Sequence, residues 1–195
     1  LESGNNLIYS CIVYHHPGWG IHIFNGADNT GAHHNTVSSN IIHDNGMVDE
    51  GAGLVLTSGQ GNIAFNNLIW GNEGGIKVDL SAVGTEIYNN VVYDNNRYGI
   101  QVTLRSSGTV VRNNLAYQNE SIDFLEYGIG TIHDHNLFED PHFVDTAGFD
   151  FHLRPTSPAI DGGVTLDQVP VDFDGVSRPR GTGYDIGIYE SPHSI

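Results

Sequence analysis

Up to residue 139 the chain is built from short apolar runs of about four residues, with hydrophobic positions recurring every second residue and asparagine or glycine closing each run. Runs this short and this rich in asparagine suit strands, not amphipathic helices. Ser39-Asn40-Ile41-Ile42-His43, Asn66-Asn67-Leu68-Ile69-Trp70, Asn89-Asn90-Val91-Val92-Tyr93 and Asn113-Asn114-Leu115-Ala116-Tyr117 fall in one register, with Ser10-Cys11-Ile12-Val13-Tyr14 before them and His135-Asn136-Leu137-Phe138 after. A second register runs in phase: Gly20-Ile21-His22-Ile23, Gly53-Leu54-Val55-Leu56, Gly75-Ile76-Lys77-Val78, Gly99-Ile100-Gln101-Val102 and Ser121-Ile122-Asp123-Phe124. The repeat of roughly 22 to 33 residues is in the solenoid range. Leucine-rich repeats share that period, but their helix-forming half is missing here. The pattern therefore predicts an all-β protein, a parallel β-helix of about six coils in which each strand bonds its equivalent one coil away, about 4.8 Å distant.

Asparagine at one fixed position has a physical reason. Its amide bonds both the backbone and the matching amide of the next coil, and it tolerates the left-handed backbone of a tight turn. Asn40, Asn67, Asn90, Asn114 and Asn136 are expected to form one structural ladder, and Asn45, Asn72, Asn95 and Asn119 a second. Composition then changes. The last asparagine is Asn136, whereas six of the seven prolines lie at or after Pro141. We expect coils over residues 1–139 and an irregular capping tail over 140–195, packed on the same domain.

Together the repeats and tail identify a family resemblance. The coils resemble those of right-handed parallel β-helix proteins of the pectate-lyase-like superfamily. Asp140-Pro141-His142-Phe143, Ser157-Pro158-Ala159-Ile160-Asp161-Gly162-Gly163, Asp172-Phe173-Asp174-Gly175 and Tyr184-Asp185-Ile186-Gly187 resemble the closing segment of secreted bacterial members. The resemblance implies a right-handed coil, a polysaccharide as partner, and an extracellular or periplasmic setting. It leaves activity open, because the superfamily includes lyases, hydrolases, epimerases and members without known activity.

A formal charge of −16, from 23 acidic and 7 basic residues, argues against nucleic acid and anionic membrane surfaces as partners. No apolar run approaches the roughly 20 residues of a membrane-spanning helix. The start at Leu1, with Met47 the only methionine, suggests a processed or truncated end, and the exposed edges of the N-terminal coils make a homodimer through that end plausible. Cys11, the single cysteine, excludes an internal disulfide and is expected to be buried and inert.

Strand alternation in the glycine-led register points isoleucine and valine inward. The outward row then reads His22, Val55, Lys77, Gln101, Asp123, beside Phe24, Thr57, Asp79, Thr103, Leu125. Lys77 is the only lysine of the chain. Glu50 and Glu73 lie just upstream, and Arg97 and Tyr98 stand between coils. β-Elimination on a uronic-acid polymer needs neutralisation of the sugar carboxylate, a base, and an acid for the leaving oxygen. Calcium held by Asp79, Asp123, Glu73 or Glu50 would supply the first and Lys77 the second, with Asp79 and Asp123 completing the catalytic set. Gln101, Arg97, Tyr98 and His22 would bind substrate. Without metal, carboxylates around Lys77 favour its charged form, and a salt bridge to Asp79 is the simpler reading.

Other readings compete with the calcium-assisted lyase. Asp79 and Asp123, with backbones roughly 12 Å apart at two coil spacings plus an offset, would suit an inverting hydrolase better than a retaining one. Tyr14, His43, Trp70, Tyr93 and Tyr117 share one slot, and such a row either packs the solenoid or, through Trp70 and Tyr93, offers sugars a platform in a non-catalytic binding or surface-structural module. His15, His16 and His43 are weaker zinc candidates, since no helix is expected to space them. In the tail, Asp172, Asp174 and Asp185 are read with Arg178 and Arg180 as a capping network, not a calcium site.

Overall fold

The computed structural model describes residues 4–24, 32–46 and 51–192. Its described residues form strands and turns and no helix. Three parallel sheets run along the molecule. The first stacks Leu7–Tyr9, Thr36–Ser38, Ile63–Phe65, Glu86–Tyr88, Val110–Arg112 and Ile132–Asp134. The second stacks Ile12–Tyr14, Ile41–His43, Leu68–Trp70, Val91–Tyr93 and Leu115–Tyr117. The third stacks Ile21–Phe24, Leu54–Thr57, Ile76–Asp79, Tyr98–Val102 and Ile122–Glu126. Each strand pairs in parallel with its equivalent one coil on. The described strands thus make five complete coils and the opening strand of a sixth.

Alternation fills the interior. Val37, Ala64, Ile87 and Val111 from the first sheet, Ile42, Ile69, Val92 and Ala116 from the second, and Ile76, Val78, Ile100 and Val102 from the third pack in one fully buried column. Each large aliphatic side chain buried there contributes roughly 1.5–3 kcal/mol.

Both asparagine ladders exist, and they lie inside the coil. The Asn67 backbone N–H and side-chain amide both donate to Asn90 Oδ1, at 3.0 and 2.9 Å, and Asn90 repeats the pattern on Asn114 at the same distances. Asn45, Asn72 and Asn95 each donate in the same way to the next coil. A third ladder, Asn6 to Asn35 to Asn62, stands before the first sheet; Thr85 and Thr109 replace it in later coils, and for that reason it does not show as an asparagine repeat. The two tasks assigned to one asparagine are divided between neighbours. Asn67, Asn90 and Asn114 bond in the ladder, while Asn66, Asn89 and Asn113 before them take the left-handed bend, with φ of 52°, 47° and 57°.

These left-handed asparagines point outward and hold the tail. Asn66 donates to the Val171 carbonyl (2.8 Å), Asn89 to those of Asp185 and Gly187 (3.1 and 2.9 Å), and Asn113 to that of Val164 (2.8 Å). On one side of this seam Phe143, Phe151, Ile186 and Ile188 cover Leu68, Val91 and Leu115 of the second sheet. On the other, Leu166, Val169 and Tyr184 cover Tyr88 of the first. Within the tail, Arg178 bonds Glu190 and the Gly187 carbonyl, and Asp172 accepts the backbone N–H groups of Asp174, Val176 and Glu190. The tail therefore lies along the flank of the coils, over the corner between the first and second sheets.

Cys11 is exposed, contrary to the buried position expected. It stands in the first described coil, where the neighbour on one side only, Asn40, accepts its backbone N–H.

Candidate functional site

The described tail packs on the other two sheets, and the outer face of the third carries a cleft of its own. An open cleft of about 510 Å³ lies there, lined by Trp19, His22, Phe24, Val55, Thr57, Lys77, Asp79, Leu80 and Arg105. Its floor is the outward row His22, Val55, Lys77, fixed by the pairing of His22 with Val55 and of Val55 with Lys77; Gln101 is next in line.

Asp79 anchors the cleft and is only 4% exposed. It ends its strand, and Leu80 and Ser81 then turn left-handed, so that the Leu80 N–H meets Asp79 Oδ1 at 2.7 Å. Thr103 Oγ1 donates to the same oxygen at 2.6 Å. Arg105 binds both oxygens, Nε to Oδ1 at 3.1 Å and a terminal nitrogen to Oδ2 at 3.0 Å, and Lys77 Nζ lies 3.4 Å from Oδ2. Burial pushes the Asp79 carboxyl up, but the bonds from Thr103, Leu80 and Arg105 and the charge of Lys77 outweigh it and hold the group below its usual value. Asp79 is thus a fixed anion with its oxygens engaged. It orients Lys77 and Arg105 and is poorly placed to take or give a proton.

At the other end His22 Nε2 lies 2.8 Å from Thr57 Oγ1, and the Thr57 hydroxyl donates to the Ile23 carbonyl at 3.2 Å. One hydroxyl proton cannot serve both, so Nε2–H donates to Thr57 and Nδ1 is the acceptor nitrogen, an assignment that follows from the bonding network. Burial holds the His22 pKa below its ordinary value, which keeps the ring neutral at pH 7. The ring contacts Trp19 and Phe24, with centroids 4.6 and 5.3 Å away. The cleft therefore has an aromatic end and a cationic end.

The structure does not bring all the expected site residues here. Asp123 does not continue the outward row. Ile100 pairs with Phe124 and Gln101 with Leu125, so Leu125 continues the Lys77 row. Asp123 lies instead at the end of the second ladder, where Oδ1 accepts the Asn119 backbone and side-chain N–H groups at 3.0 and 2.7 Å. The expected alignment sets Ser121 level with Gly75 and Gly99, whereas Asp123 stands in that position, so the expected row runs two residues early in this coil. Asp79 and Asp123 consequently do not form the carboxylate pair of a hydrolase on this face. Glu73 is 4.0 Å from Arg97 at the turn into the third sheet, and Tyr98 is buried against Gly74. Glu50 lies outside the described residues. Asp79, Asp123 and Glu73 are therefore dispersed, and among the described residues no three His, Cys, Asp or Glu side chains converge to hold a metal.

The aromatic row is in register. His43 stacks on Tyr14 and on Trp70, with centroids 5.2 and 4.5 Å apart and planes within 7° and 2°. It faces outward, but Trp70 lies against Phe149 and Phe151, and Tyr93 against Phe143 and Phe151, so the tail packs on this stretch of the row and leaves its rings only partly exposed. Arg105 is the site residue that the repeat pattern missed. It falls in the turn after a strand, outside any alternating row, and its one signal is the loss of strand pattern after Val102.

Comparison with known proteins places the fold. A family model described as "Right handed beta helix region" matches residues 1–148, and the chain belongs to this family of right-handed parallel β-helix proteins. A crystal structure of the pectate lyase Pel9A superposes with a TM-score of 0.55 at 17% identity, covering 95% of this chain and 65% of that one. At that identity the likeness concerns the fold. No curated protein matches the sequence.

Proposed function

We propose that the third-sheet cleft binds an acidic polysaccharide, with Lys77 and Arg105 contacting the sugar carboxylate and Trp19 stacking on a ring. The observation that carries this reading is the joining of two cations to an exposed aromatic end in one cleft. Lys77 and Arg105 are two of only seven basic residues in a chain of formal charge −16, and both are held in place by the same buried carboxylate. With Asp79 counted, the group carries one net positive charge, which offers an anionic sugar a local attraction against the repulsive field of the whole protein. The likeness to a pectate lyase adds support for this ligand class. An extracellular or periplasmic setting goes with such a ligand.

Elimination at the same cleft is the second reading. It is favoured by the meeting of Lys77 and Arg105 on the same Asp79 oxygen: the guanidinium would neutralise the sugar carboxylate, and Lys77, in its deprotonated form, would take the C5 proton and return it to the leaving oxygen. The test is calorimetric binding of pectate, alginate and neutral polymers, together with the absorbance of unsaturated uronate, each with and without calcium. Binding of acidic polymers that weakens in Lys77→Ala supports the site. A rise in absorbance adds catalysis, and a calcium requirement would return the metal to the mechanism. No binding of any acidic polymer overturns the proposal.

A further inference from the structure

A second cleft, of about 380 Å³, opens where the tail leaves the coils. Its lining brings together Tyr93, Tyr117, Gln118, Asp140, His142 and Arg154, from the second sheet, the turn after it and the start of the tail. This is the lower part of the size range of small-ligand sites.

Its polar groups are held by the protein in set directions. Tyr93 donates its hydroxyl to Gln118 Oε1 at 2.7 Å. A terminal nitrogen of Arg154 donates to the Val144 carbonyl at 2.7 Å. His142 Nδ1 lies 3.0 Å from both the carbonyl and the hydroxyl of Thr156, which fixes the direction of the ring. Asp140 Oδ1 accepts the His142 backbone N–H at 2.9 Å. An aromatic wall from Tyr93 and Tyr117, ring centroids 6.4 Å apart, thus faces a rim of carboxylate, amide, imidazole and guanidinium.

We infer that this cleft is a second carbohydrate site, distinct from the third-sheet cleft, and that it takes one or two rings of a neutral sugar. Tyrosine offers the C–H face of a pyranose an apolar surface, and the rim offers hydroxyls both donors and acceptors. Asp140 and Arg154 cancel in formal charge, so the site lacks the excess cation that a uronate needs. Each class of chain would meet its own cleft: acidic sugars on the third sheet, neutral ones at the junction of tail and coils.

The test is calorimetric titration of the whole chain with neutral gluco-, galacto-, manno- and xylo-oligosaccharides, and separately with an oligogalacturonate. At least one neutral series should bind and lose about tenfold or more in affinity in Tyr117→Ala. Arg154→Ala, at an exposed position, should show the same loss if Tyr117→Ala fails to fold. Neither variant should alter oligogalacturonate binding, and Lys77→Ala should leave the neutral ligand unaffected. Failure of every neutral series to bind, or binding that survives both variants, overturns the inference. Failure of the oligogalacturonate together with every other acidic polymer, while a neutral series binds, overturns the acidic-polysaccharide reading and leaves this one standing.

Discussion

Asp123 Oδ1 accepts two hydrogen bonds from Asn119, one from its backbone and one from its side-chain amide, and so takes the place that the next coil's asparagine would fill. A carboxylate suits the end of a ladder, since it accepts from the last amide and has no N–H of its own to satisfy. Asp123→Ala should therefore cost about 1–3 kcal/mol by leaving the Asn119 donors unmet, and Asp123→Asn much less. Urea unfolding of both variants checks this. Equal effects would show that the ladder does not depend on that acceptor, and neither variant should alter sugar binding.

Asn89 joins the coils to the tail by donating to the Asp185 and Gly187 carbonyls while its backbone is left-handed. Asn89→Gly keeps the backbone accessible but removes the amide, and should destabilise by about 1–3 kcal/mol. Hydrogen exchange should quicken first in residues 185–188. Exchange that quickens evenly along the coils would contradict a role in holding the tail.

Much of the fold was legible because a solenoid writes its geometry into the sequence once per coil. Val91, Val92 and Tyr93 recur as Leu115, Ala116 and Tyr117, and the pairing follows the alignment. The tail's footprint was also written there, though less plainly. In the register of the first ladder, asparagines are paired at 66–67, 89–90 and 113–114, the three coils the tail crosses, whereas the flanking coils have Ser39-Asn40 and His135-Asn136. The candidate site was half legible. Lys77 and Asp79 lie on a regular strand and alternation placed them correctly together. Arg105 follows an irregular turn, outside any alternating row. Asp123 was legible from the 24-residue spacing of Asn95 and Asn119, which carries Gly99 onto Asp123, but that coil lacks the glycine that marked the register in the others.

Arg178 and Glu190 form an ion pair with both side chains fully buried. Burial pushes the guanidinium down and the carboxyl up, and their mutual attraction with the surrounding hydrogen bonds opposes both shifts. Removing one partner leaves an uncompensated buried charge, so Arg178→Met should cost about 3–5 kcal/mol. The double variant Arg178→Met, Glu190→Met should recover part of that loss in thermal unfolding. A double variant no more stable than Arg178→Met would contradict the pairing.

His152 lies between Asp150 and Asp174, at 2.7 and 3.1 Å, and stacks on Tyr189. Burial lowers its pKa, but hydrogen bonds to the two aspartates, with their charges, outweigh this and raise it above 6.5. A raised histidine pKa stabilises the fold fully below the unfolded value near 6.5, and that contribution is lost as pH rises through the folded value. The groups are about half exposed, so the effect should stay below about 1 kcal/mol. Melting temperature followed upward from pH 6 should show a small decline that His152→Gln abolishes. A decline of the same size in the variant would assign it elsewhere.

The most direct measurement uses the two tryptophans, of which Trp19 lines the third-sheet cleft and Trp70 lies against the tail. Titration of tryptophan fluorescence with an oligogalacturonate should give a saturable change that vanishes in Trp19→Phe and requires about tenfold or more ligand in Lys77→Ala. A signal unchanged in both variants, or no saturable signal with any acidic oligosaccharide, would contradict acidic-sugar binding at the third-sheet cleft.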